Sequence, residues 1–242
     1  MSTPTPLHPV AVDAAIRGRR SSRAFLPESL PNEILREILT LASRAPSGTN
    51  MQPWKVYVLG KPQIAQVAEA IAGSGIRADR AHWDDYRYYP DFFPEPYLRR
   101  RRQVGAALYE LLGIGRRDVT RMRSHFERNF RFFGAPTGLF VTIDRRLEKG
   151  SWLDLGMFIQ TLLIAAQARG IDSCVQAAFA PFHRQIRPLV GMRQEEVLVC
   201  GIALGRADPS RPENKMRTDR APLDEWVVDL TREQRSALDC AA

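Results

Sequence analysis

Apolar side chains recur at helical spacing along much of the chain. After Pro31, positions 34, 35, 38, 39 and 42 are all apolar and share one face of a helix. The pattern predicts helices over residues 12–17, from Pro31 to before Pro46, over 63–72, around Val104, Leu108 and Leu111, and over 153–169. The last of these is apolar nearly all round and ends at Gly170, so we expect a central helix that is buried on more than one side.

Short runs rich in β-branched residues alternate with these helices. They predict strands over residues 55–59, 137–143, 172–179 and 197–204, and a last extended or strand-like segment over 223–230. No strand has the alternation of polar and apolar positions that is typical of a half-exposed sheet. The chain is therefore expected to form one α+β or α/β layer structure in which helices cover a sheet.

The composition is that of a globular protein with a basic surface. Lysine and arginine number 35 against 27 aspartates and glutamates, which gives a formal net charge of +8. Such a balance suits nucleic acid, a membrane surface or small anionic ligands. The longest apolar run, 155–166, is too short to span a bilayer, and the first ten residues lack the apolar core of a signal peptide. We therefore expect no membrane partner.

Cysteine and histidine spacing narrows the possible chemistry. The three cysteines, Cys174, Cys200 and Cys240, lie far apart and form no disulfide framework. This favours a reducing, cytoplasmic location. The four histidines are scattered without the spacing of metal ligands, so we expect no metal site.

Two basic clusters are candidates for binding a phosphate group. Residues 19–23, R-R-S-S-R, place three guanidinium groups and two hydroxyls together, and arginine can hold phosphate oxygens with paired hydrogen bonds. Residues 214–220, N-K-M-R-T-D-R, could close such a site from a second side. On charge alone, a solvated basic turn is the favoured interpretation of the first cluster.

A polar loop between a predicted helix and a predicted strand is the third candidate. Residues 45–54 contain serine, threonine, asparagine and glutamine beside two prolines. Such amide and hydroxyl groups can face the polar edge of a ring. The alternative is an ordinary turn with Trp54 anchored in the core, which explains Asn50 and Gln52 less well.

Taken together, these motifs resemble the nitroreductase family of flavoenzymes. The resemblance lies in R-R-S-S-R-A-F at 19–25, P-S-G-T-N-M-Q-P-W at 46–54 and R-A-P-L-D-E at 220–225, in that order. F-G-A-P at 133–136 and G-S-W-L-D at 150–154 further resemble its bacterial nitroaromatic and nitrobenzoate reductases.

The resemblance extends over nearly the whole chain and implies its organisation. It implies an α+β fold of three layers, α/β/α, with a central mixed sheet flanked by helices. The expected domain spans residues 11–230, between a flexible arm at 1–10 and a tail at 231–242. A variable excursion at about 75–133 would cover the substrate face. Family members form homodimers, and the apolar helix over 153–169 suits such an interface.

The resemblance also implies a bound FMN at the dimer interface. Residues 19–23 would grip its phosphate and ribityl chain, 46–50 would reach it from the partner subunit, and 176–178 would lie along its central ring. Relatives often have serine at position 48, and a glutamate and glycine where this chain has two alanines. The expected cofactor-binding residues are Arg19, Arg20, Ser21, Arg23, Pro46, Ser47, Gly48, Asn50, Gln176, Ala177, Ala178, Arg217 and Arg220, with Lys215 as an alternative phosphate contact.

The function that the resemblance implies is that of an FMN-dependent NAD(P)H oxidoreductase. It would reduce nitroaromatic, including nitrobenzoate-like, compounds by ping-pong hydride transfer, with NADH or NADPH as reductant. No catalytic side chain is expected, because the flavin carries the chemistry. From the residues themselves, Tyr88, Phe92 and Phe93 could stack on a small aromatic substrate, and a small satellite core of aromatic side chains is the alternative interpretation.

Two other interpretations compete with this one. A reductive dehalogenase, or a quinone or enone reductase, could use the same scaffold, and Asp84, Asp85 and Tyr86 are candidate lid residues for a dehalogenase. A nucleic-acid-binding protein could use the net charge and the run of four arginines at 99–102. No helix-turn-helix, RNP or zinc pattern supports it, so we expect no nucleic-acid partner and a solvated helix face at 99–102.

Overall fold

Residues 9–73, 86 and 88–231 are described by a computed structural model. They form the α-helices α1 (Pro9–Gly18), α2 (Asn32–Ala42), α3 (Lys61–Gly73), α4 (Tyr97–Leu111), α5 (Val119–Glu127), α6 (Lys149–Gln167) and α7 (His183–Val190). They also form the strands β1 (Lys55–Leu59), β2 (Thr137–Asp144), β3 (Asp172–Gln176) and β4 (Glu196–Gly205).

The four strands make one sheet in the order β1-β2-β4-β3. Each neighbouring pair runs antiparallel. Among the described residues, parallel pairing is limited to a single bridge between Ser21 and Ser173. The expected mixed sheet is therefore mixed only through this bridge, which joins the first basic cluster to the outer strand β3.

Helices bury both faces of the sheet. On one face, Leu139, Val141 and Ile143 of β2 share a core with α2 and α6. On the other face, Phe140 joins α3, α7 and an aromatic turn over Arg128–Gly134. This arrangement confirms the three-layer α/β/α prediction. Burial on both faces also explains why the central strands are almost continuously apolar.

The predicted helices are confirmed with shifted ends. Pro31 precedes α2 and Gly170 follows α6 with a left-handed φ of 69°. The helix predicted from residue 153 begins one turn earlier, at Lys149. Helices α5 and α7 were not predicted, because they are short, mostly polar and, in α7, interrupted by Pro188.

Two strand predictions were wrong in extent. Strand β3 ends at Gln176, and residues Ala177–Phe182 form a 3-10 turn that leads into α7. Residues 223–230 form no strand in the single chain but begin with a 3-10 turn, Leu223–Glu225. A strand needs a neighbour for its ladder hydrogen bonds, and no described strand lies beside this segment.

Helix α6 is not buried on every side as its composition suggested. Leu153, Gly156, Met157 and Gln160 lie at helical spacing and are exposed, with Leu153 72% accessible. The opposite face, including Leu155, Phe158 and Leu162, lies in the core. An apolar stripe is thus left uncovered on the central helix. No helix in the described ranges combines the length and apolar character needed to cross a bilayer.

A buried carboxylate connects the outer strand β1 to the centre of the sheet. Glu196 accepts hydrogen bonds from Lys55 Nζ and Tyr57 Oη, both at 2.7 Å, from Arg193 Nε at 2.8 Å and from Thr142 Oγ1 at 2.9 Å. Desolvation would raise the pKa of Glu196, but these donors outweigh it and lower the pKa to about 2. The ionised carboxylate therefore holds β1, β2 and β4 together at one end.

Two phenylalanine rings cover glycines in the sheet. A Cβ atom added to Gly201 would lie 2.5 Å from Phe179 Cδ2, and one added to Gly138 would lie 2.8 Å from Phe132. The two rings stack on each other with centroids 4.6 Å apart. Glycine is required at these positions because the rings occupy the space of a side chain.

Replacing Gly201 by alanine should therefore destabilise the protein. We expect Gly201→Ala to lower the free energy of unfolding by about 3 kcal/mol, since Phe179 must move within a packed core. Gly105→Ala in α4 is the control, because nothing lies near its added Cβ. That change should stabilise the protein by about 0.5–1 kcal/mol. Denaturant unfolding measures both, and equal stability of Gly201→Ala and wild type would contradict the packing described.

Candidate functional site

The first basic cluster runs along the edge of the sheet after α1. Ser22 N donates to Ser173 O of β3 at 2.9 Å, and Leu26 N donates to Arg206 O at 2.8 Å. This pairing holds the segment extended, so its side chains alternate between the two sides. Ser22 is buried against the sheet, while Ser21 and Arg23 stay partly exposed on the other side.

Arginines from two distant stretches line one cavity of about 330 Å³, which we call the arginine cavity. Its wall contains six arginines and no carboxylate. The lining residues are Ile16, Arg17, Gly18, Arg19, Arg20, Ser21, Arg23, Met216, Arg217, Thr218 and Arg220. The structure therefore brings the cluster at 19–23 beside Arg217 and Arg220.

The guanidinium groups of this cavity have few partners. Arg220 Nη1 donates to Thr218 Oγ1 at 2.9 Å, and Arg217 Nη1 donates to Met216 O at 3.0 Å. Arg20 Nε is buried, and no described residue accepts a hydrogen bond from it. None of the six arginines pairs with a carboxylate within the described ranges. Like charges this close repel one another, which favours the binding of an anion between them.

Asn214 joins the two arginine-bearing stretches from behind. Its side chain is buried, and its Oδ1 accepts from Arg23 N at 2.8 Å. Its Nδ2 donates to Ala24 O and Asp208 O, both at 2.8 Å. All three partners are backbone groups, so this amide sets the separation of the two segments whatever the arginine side chains do.

A buried ion pair supports the same region. Glu213 Oε1 accepts from Arg128 Nη1, and Arg128 Nη2 donates to Arg23 O at 2.9 Å. Burial alone would raise the pKa of Glu213, but the hydrogen bond and charge of Arg128 hold its pKa below the ordinary value. Glu213 therefore contributes a negative charge behind the cavity wall and leaves the cavity itself free of carboxylates.

Lys215, the alternative phosphate contact, lies outside the arginine cavity. It lines a neighbouring space of about 290 Å³ together with Arg20 and Arg217. Arg20 and Arg217 line both spaces, whereas Lys215 lines only the second. This placement favours Arg217 and Arg220 over Lys215 as ligands of an anion in the arginine cavity.

The polar loop at 46–50 does not line the cavity of the single chain. Gly48 N donates to Asp154 Oδ2 of α6 at 3.1 Å, and Ser47 Oγ accepts from Gln52 N at 3.0 Å. Pro46 and Asn50 are exposed, and Asn50 has a left-handed φ of 61°. The loop is thus fastened beside the exposed stripe of α6. Trp54 lies against the core, where it stacks on Phe158 at 4.8 Å.

The end of β3 also lies outside the cavity. Gln176 is buried, and its Nε2 donates to Asn129 O at 2.7 Å. Its Oε1 is buried, and no described residue donates to it. Ala177 and Ala178 are half-buried in the 3-10 turn that follows. The Nε2 of Gln176 is therefore hydrogen-bonded, whereas its Oε1 has no partner among the described residues.

Two of the three expected substrate residues, Tyr88 and Phe93, belong to a separate aromatic cluster. Tyr88 contacts Tyr89 with ring centroids 4.8 Å apart, and Tyr89 contacts Phe93 at 5.7 Å. The guanidinium of Arg101 lies 4.5 Å above the Phe93 ring. Burial raises the pKa of Tyr88. Phe92 is 89% exposed. The rings of this cluster contact one another and Arg101, and none of them lines the arginine cavity.

Of the residues proposed for a dehalogenase lid, the structure describes Tyr86. Asp84 and Asp85 lie outside the described residues. Tyr86 packs on Trp152, with centroids 4.9 Å apart, and its hydroxyl donates to Leu198 O. In the part of the chain that the structure describes, no group of three or more His, Cys, Asp or Glu side chains could hold a metal ion.

Sequence reasoning missed the residues that support and extend the cavity. Asn214 was included in the basic cluster at 214–220, but its structural role gave no signal, and Glu213 was not predicted at all, because a polar residue beside a basic run looks like part of a solvated loop. Arg17 follows helical spacing and was assigned only to α1. Arg99 is exposed and Arg100 partly exposed, as a solvated face predicts, but both also line a cleft beside the arginine cavity, which was not predicted.

The three-layer fold and its carboxylate-free arginine cavity define an α/β/α protein whose cavity is suited to an anion. The chain belongs to the nitroreductase family, whose profile matches residues 16–206. It is 38% identical over 222 residues to 4-nitrobenzoate reductase from Nocardioides sp. strain LMS-CY, which covers 91% of this chain and 90% of that protein. It is 37% identical over 221 residues to nitrobenzene nitroreductase from Ectopseudomonas oleovorans, which covers 90% and 96%.

A solved structure supports the same assignment. The chain is similar to the FMN and NADPH-dependent nitroreductase NfnB from Sphigopyxis sp. strain HMH, with a TM-score of 0.86 at 34% identity. The match covers 90% of this chain and 97% of that one. The predicted nitroreductase-like fold and family membership are thereby confirmed.

The arginine cavity fits the phosphate end of FMN, the cofactor that the family implies. A phosphate monoester brings up to two negative charges and several acceptor oxygens to its site. The cavity supplies guanidinium donors without a competing carboxylate, the Ser21 hydroxyl, and the buried, unpartnered Nε of Arg20. The donor set and its charge are thus complementary to this group.

The role of Asn214 can be tested by an isosteric change. Asn214→Asp replaces the donor Nδ2 by a carboxylate oxygen that faces the carbonyls of Ala24 and Asp208. We expect the free energy of unfolding to fall by about 3 kcal/mol, because two buried hydrogen bonds become repulsive contacts. Asn32→Asp, at the exposed N-terminus of α2, should change it by less than about 0.5 kcal/mol. Thermal unfolding without added ligand measures both changes. Equal losses of stability in the two variants would contradict the structural role given to Asn214.

Proposed function

We propose that this protein is an FMN-dependent NAD(P)H oxidoreductase that reduces nitroaromatic compounds. The observation that carries the proposal is the arginine cavity, six guanidinium groups without a carboxylate, in the fold of the nitroreductase family. The relatives named above act, by their names, on 4-nitrobenzoate and nitrobenzene. We extend that substrate class to this chain.

The cavity residues would bind and orient the cofactor. Arg19, Arg23, Arg217 and Arg220 would neutralise the phosphate, and Arg20 and Ser21 would complete its hydrogen bonds. Bound FMN supplies the hydride-transfer chemistry, so the chain needs no nucleophilic side chain. Asn214 and Glu213 hold these groups in place before the ligand arrives, which lowers the cost of ordering them on binding.

Two further groups would act on the ring end of the cofactor. We assign Pro46, Ser47, Gly48 and Asn50 to contacts across a subunit interface, because their loop is exposed and fastened to α6 through Asp154. We assign Gln176, Ala177 and Ala178 to the central ring. The support is the unpartnered Oε1 of Gln176, a buried acceptor that awaits a donor.

A homodimer would complete this site. The exposed apolar stripe of α6, with Leu153 and Met157, lies beside the loop at 46–50. Trp226, Val228 and Leu230 are also exposed, at 65%, 83% and 89%. Uncovered apolar surface of this kind marks a protein interface. A second copy would cover it and bring the loop of one subunit toward the cavity of the other.

Substrate contacts and location complete the proposal. Tyr88, Phe92 and Phe93 are proposed to receive a flat aromatic acceptor, and the exposure of Phe92 leaves one ring face open for stacking. A cytoplasmic location suits Cys174 and Cys200, which are buried and free. We also propose a domain at 11–230 with an excursion at about 75–133 and a tail at 231–242. The arm expected at 1–10 is shorter than predicted, because helix α1 begins at Pro9.

The cofactor proposal is tested by absorbance of the purified protein. Wild type should be yellow, lose its flavin absorbance with NADPH or NADH without oxygen, and recover it on addition of 4-nitrobenzoate. Arg19→Ala with Arg220→Ala should raise the Kd for FMN about 100-fold, because two charge-assisted contacts are lost. Arg36→Ala with Arg116→Ala, which removes two exposed arginines elsewhere, should leave it unchanged. A colourless protein whose binding to DNA falls steeply with salt would instead support the nucleic-acid alternative.

The dimer proposal is tested by a pair of equally exposed residues. Leu153 on α6 and Val119 on α5 are 72% and 71% exposed. Leu153→Arg should shift the protein toward the monomer in light scattering and reduce FMN retention, because the charge would be buried in the interface. Val119→Arg should remain dimeric. A monomeric wild type, or a fully dimeric Leu153→Arg, would rule out this interface.

A further inference from the structure

A second and larger cleft adjoins the arginine cavity. It has a volume of about 700 Å³ and lies between α4 and residues 216–225. Arg217 and Arg220 line both spaces. A ligand in the cleft would therefore lie beside whatever the arginine cavity holds.

One face of α4 forms the wall of this cleft. Arg99, Arg100 and Gln103 contribute polar groups, and Val104 and Ala107 continue the same face. Arg101 points elsewhere and covers the Phe93 ring. Of the four arginines at 99–102, the first two thus line the cleft, because they lie on the same face of α4 as Gln103, Val104 and Ala107.

The cleft and the arginine cavity together carry more positive charge than one flavin phosphate requires. Four arginines line the cleft against two carboxylates, Asp219 and Glu225, which leaves a formal charge of +2. The arginine cavity alone already holds six guanidinium groups for one dianion. Arg217 and Arg220 are shared by the two spaces, which together are lined by eight arginines and two carboxylates. Their joint formal charge of +6 exceeds that of one phosphate dianion and is suited to a second anionic group.

The exposed side chains of the cleft suit a ligand that binds and dissociates in each turnover. Arg100 pairs with Glu225, and the two side chains are 42% and 44% exposed. Such an exposed ion pair is weak and can yield to a competing anion. The arginine cavity differs, since buried Asn214 and Glu213 support its wall. A resident cofactor suits the rigid space, and a reductant that must leave after each turnover suits the exposed one.

We propose that this cleft binds the 2′-phosphate of NADPH, with Arg99 and Arg100 as the residues that select NADPH over NADH. The two reductants differ by that one phosphate monoester, and arginine is the side chain that accommodates it in other dinucleotide sites. The assignment rests on the proposed function, since it names the reductant of that reaction. Glu225 holds Arg100 in the cleft until the phosphate displaces it.

Binding of a fragment tests the cleft without turnover. The probe is adenosine 2′,5′-bisphosphate, titrated calorimetrically into the flavin-loaded protein, with adenosine 5′-phosphate as reference. Wild type should prefer the bisphosphate. Arg99→Gln should weaken its binding about tenfold, as the loss of one charge-assisted hydrogen bond implies. Arg102→Gln, which removes the same charge from an exposed position of α4 outside the cleft, should change nothing.

Glu225→Gln provides a test in the opposite direction. Removing the competing carboxylate should free Arg100 and tighten binding of the bisphosphate about two- to fivefold at low salt. A loss of function through misfolding cannot mimic a gain in affinity. Unchanged or weaker binding would overturn the role given to the Arg100–Glu225 pair.

Steady-state kinetics separate this inference from the proposed function. The ratio of kcat/KM for NADPH to that for NADH should fall about tenfold in Arg99→Gln and stay constant in Arg102→Gln. If the wild type used both reductants equally, the proposed oxidoreductase function would stand, but the proposal that the cleft selects NADPH would be rejected. A change confined to KM for 4-nitrobenzoate would make the cleft an acceptor site and also reject the inference. Failure of both reductants to bleach the flavin would reject the proposed function, while bisphosphate binding would still report on the cleft.

Discussion

Mutual repulsion of like charges is the constraint on which this site depends. Six guanidinium groups converge on one cavity, and no carboxylate lines it. Such an arrangement is unfavourable until an anion arrives, so the scaffold must hold the groups together without neutralising them. It does so through neutral backbone contacts, through the buried amide of Asn214, and through Glu213, whose charge lies behind the wall. The positive potential of the cavity is preserved because its counter-charge is kept outside it.

The layered fold explains how two stretches nearly 200 residues apart along the sequence meet in space. Residues 21–25 extend the edge of the sheet next to β3, and residues 206–208 leave the neighbouring strand β4 at the same edge. Main-chain hydrogen bonds join the first segment to β3 and the two segments to each other. The precision of the site thus comes from the sheet, while its charge comes from side chains that the sheet does not need for its own stability.

The arginine cavity and the α4 cleft differ in how their walls are held in place. The walls of the arginine cavity rest on buried polar groups with several partners each, whereas the α4 cleft rests on exposed side chains and one exposed ion pair. Residues fixed by buried hydrogen bonds lose little entropy on binding, and this favours a tightly held group. Exposed arginines must be ordered by the ligand itself, which favours weaker, reversible binding. The unburied stripe of α6 adds a third kind of surface, apolar and extensive, that suits another copy of the chain.

Local pattern was sufficient for much of the secondary structure and for the chemistry of the phosphate-binding segments. Strand β1, helix α2 and the glycine after α6 follow from spacing and backbone preference, which act within a few residues. The basic clusters at 19–23 and 214–220 were recognisable because guanidinium density is itself a chemical signal. Their order along the chain, with the loop at 46–54, was enough to indicate the family.

Tertiary structure decided what depends on neighbours distant in sequence. Only the folded chain leaves Lys215 outside the arginine cavity that Arg217 lines, makes Asn214 a link between segments, and places Arg99 and Arg100 rather than Arg101 and Arg102 in a cleft. It also leaves one face of α6 exposed and ends β3 at Gln176, because burial and ladder hydrogen bonds are properties of the surroundings. A sequence encodes which groups are present and how they repeat, but whether a polar group is buried, paired or facing an anion is set by the elements that pack against it.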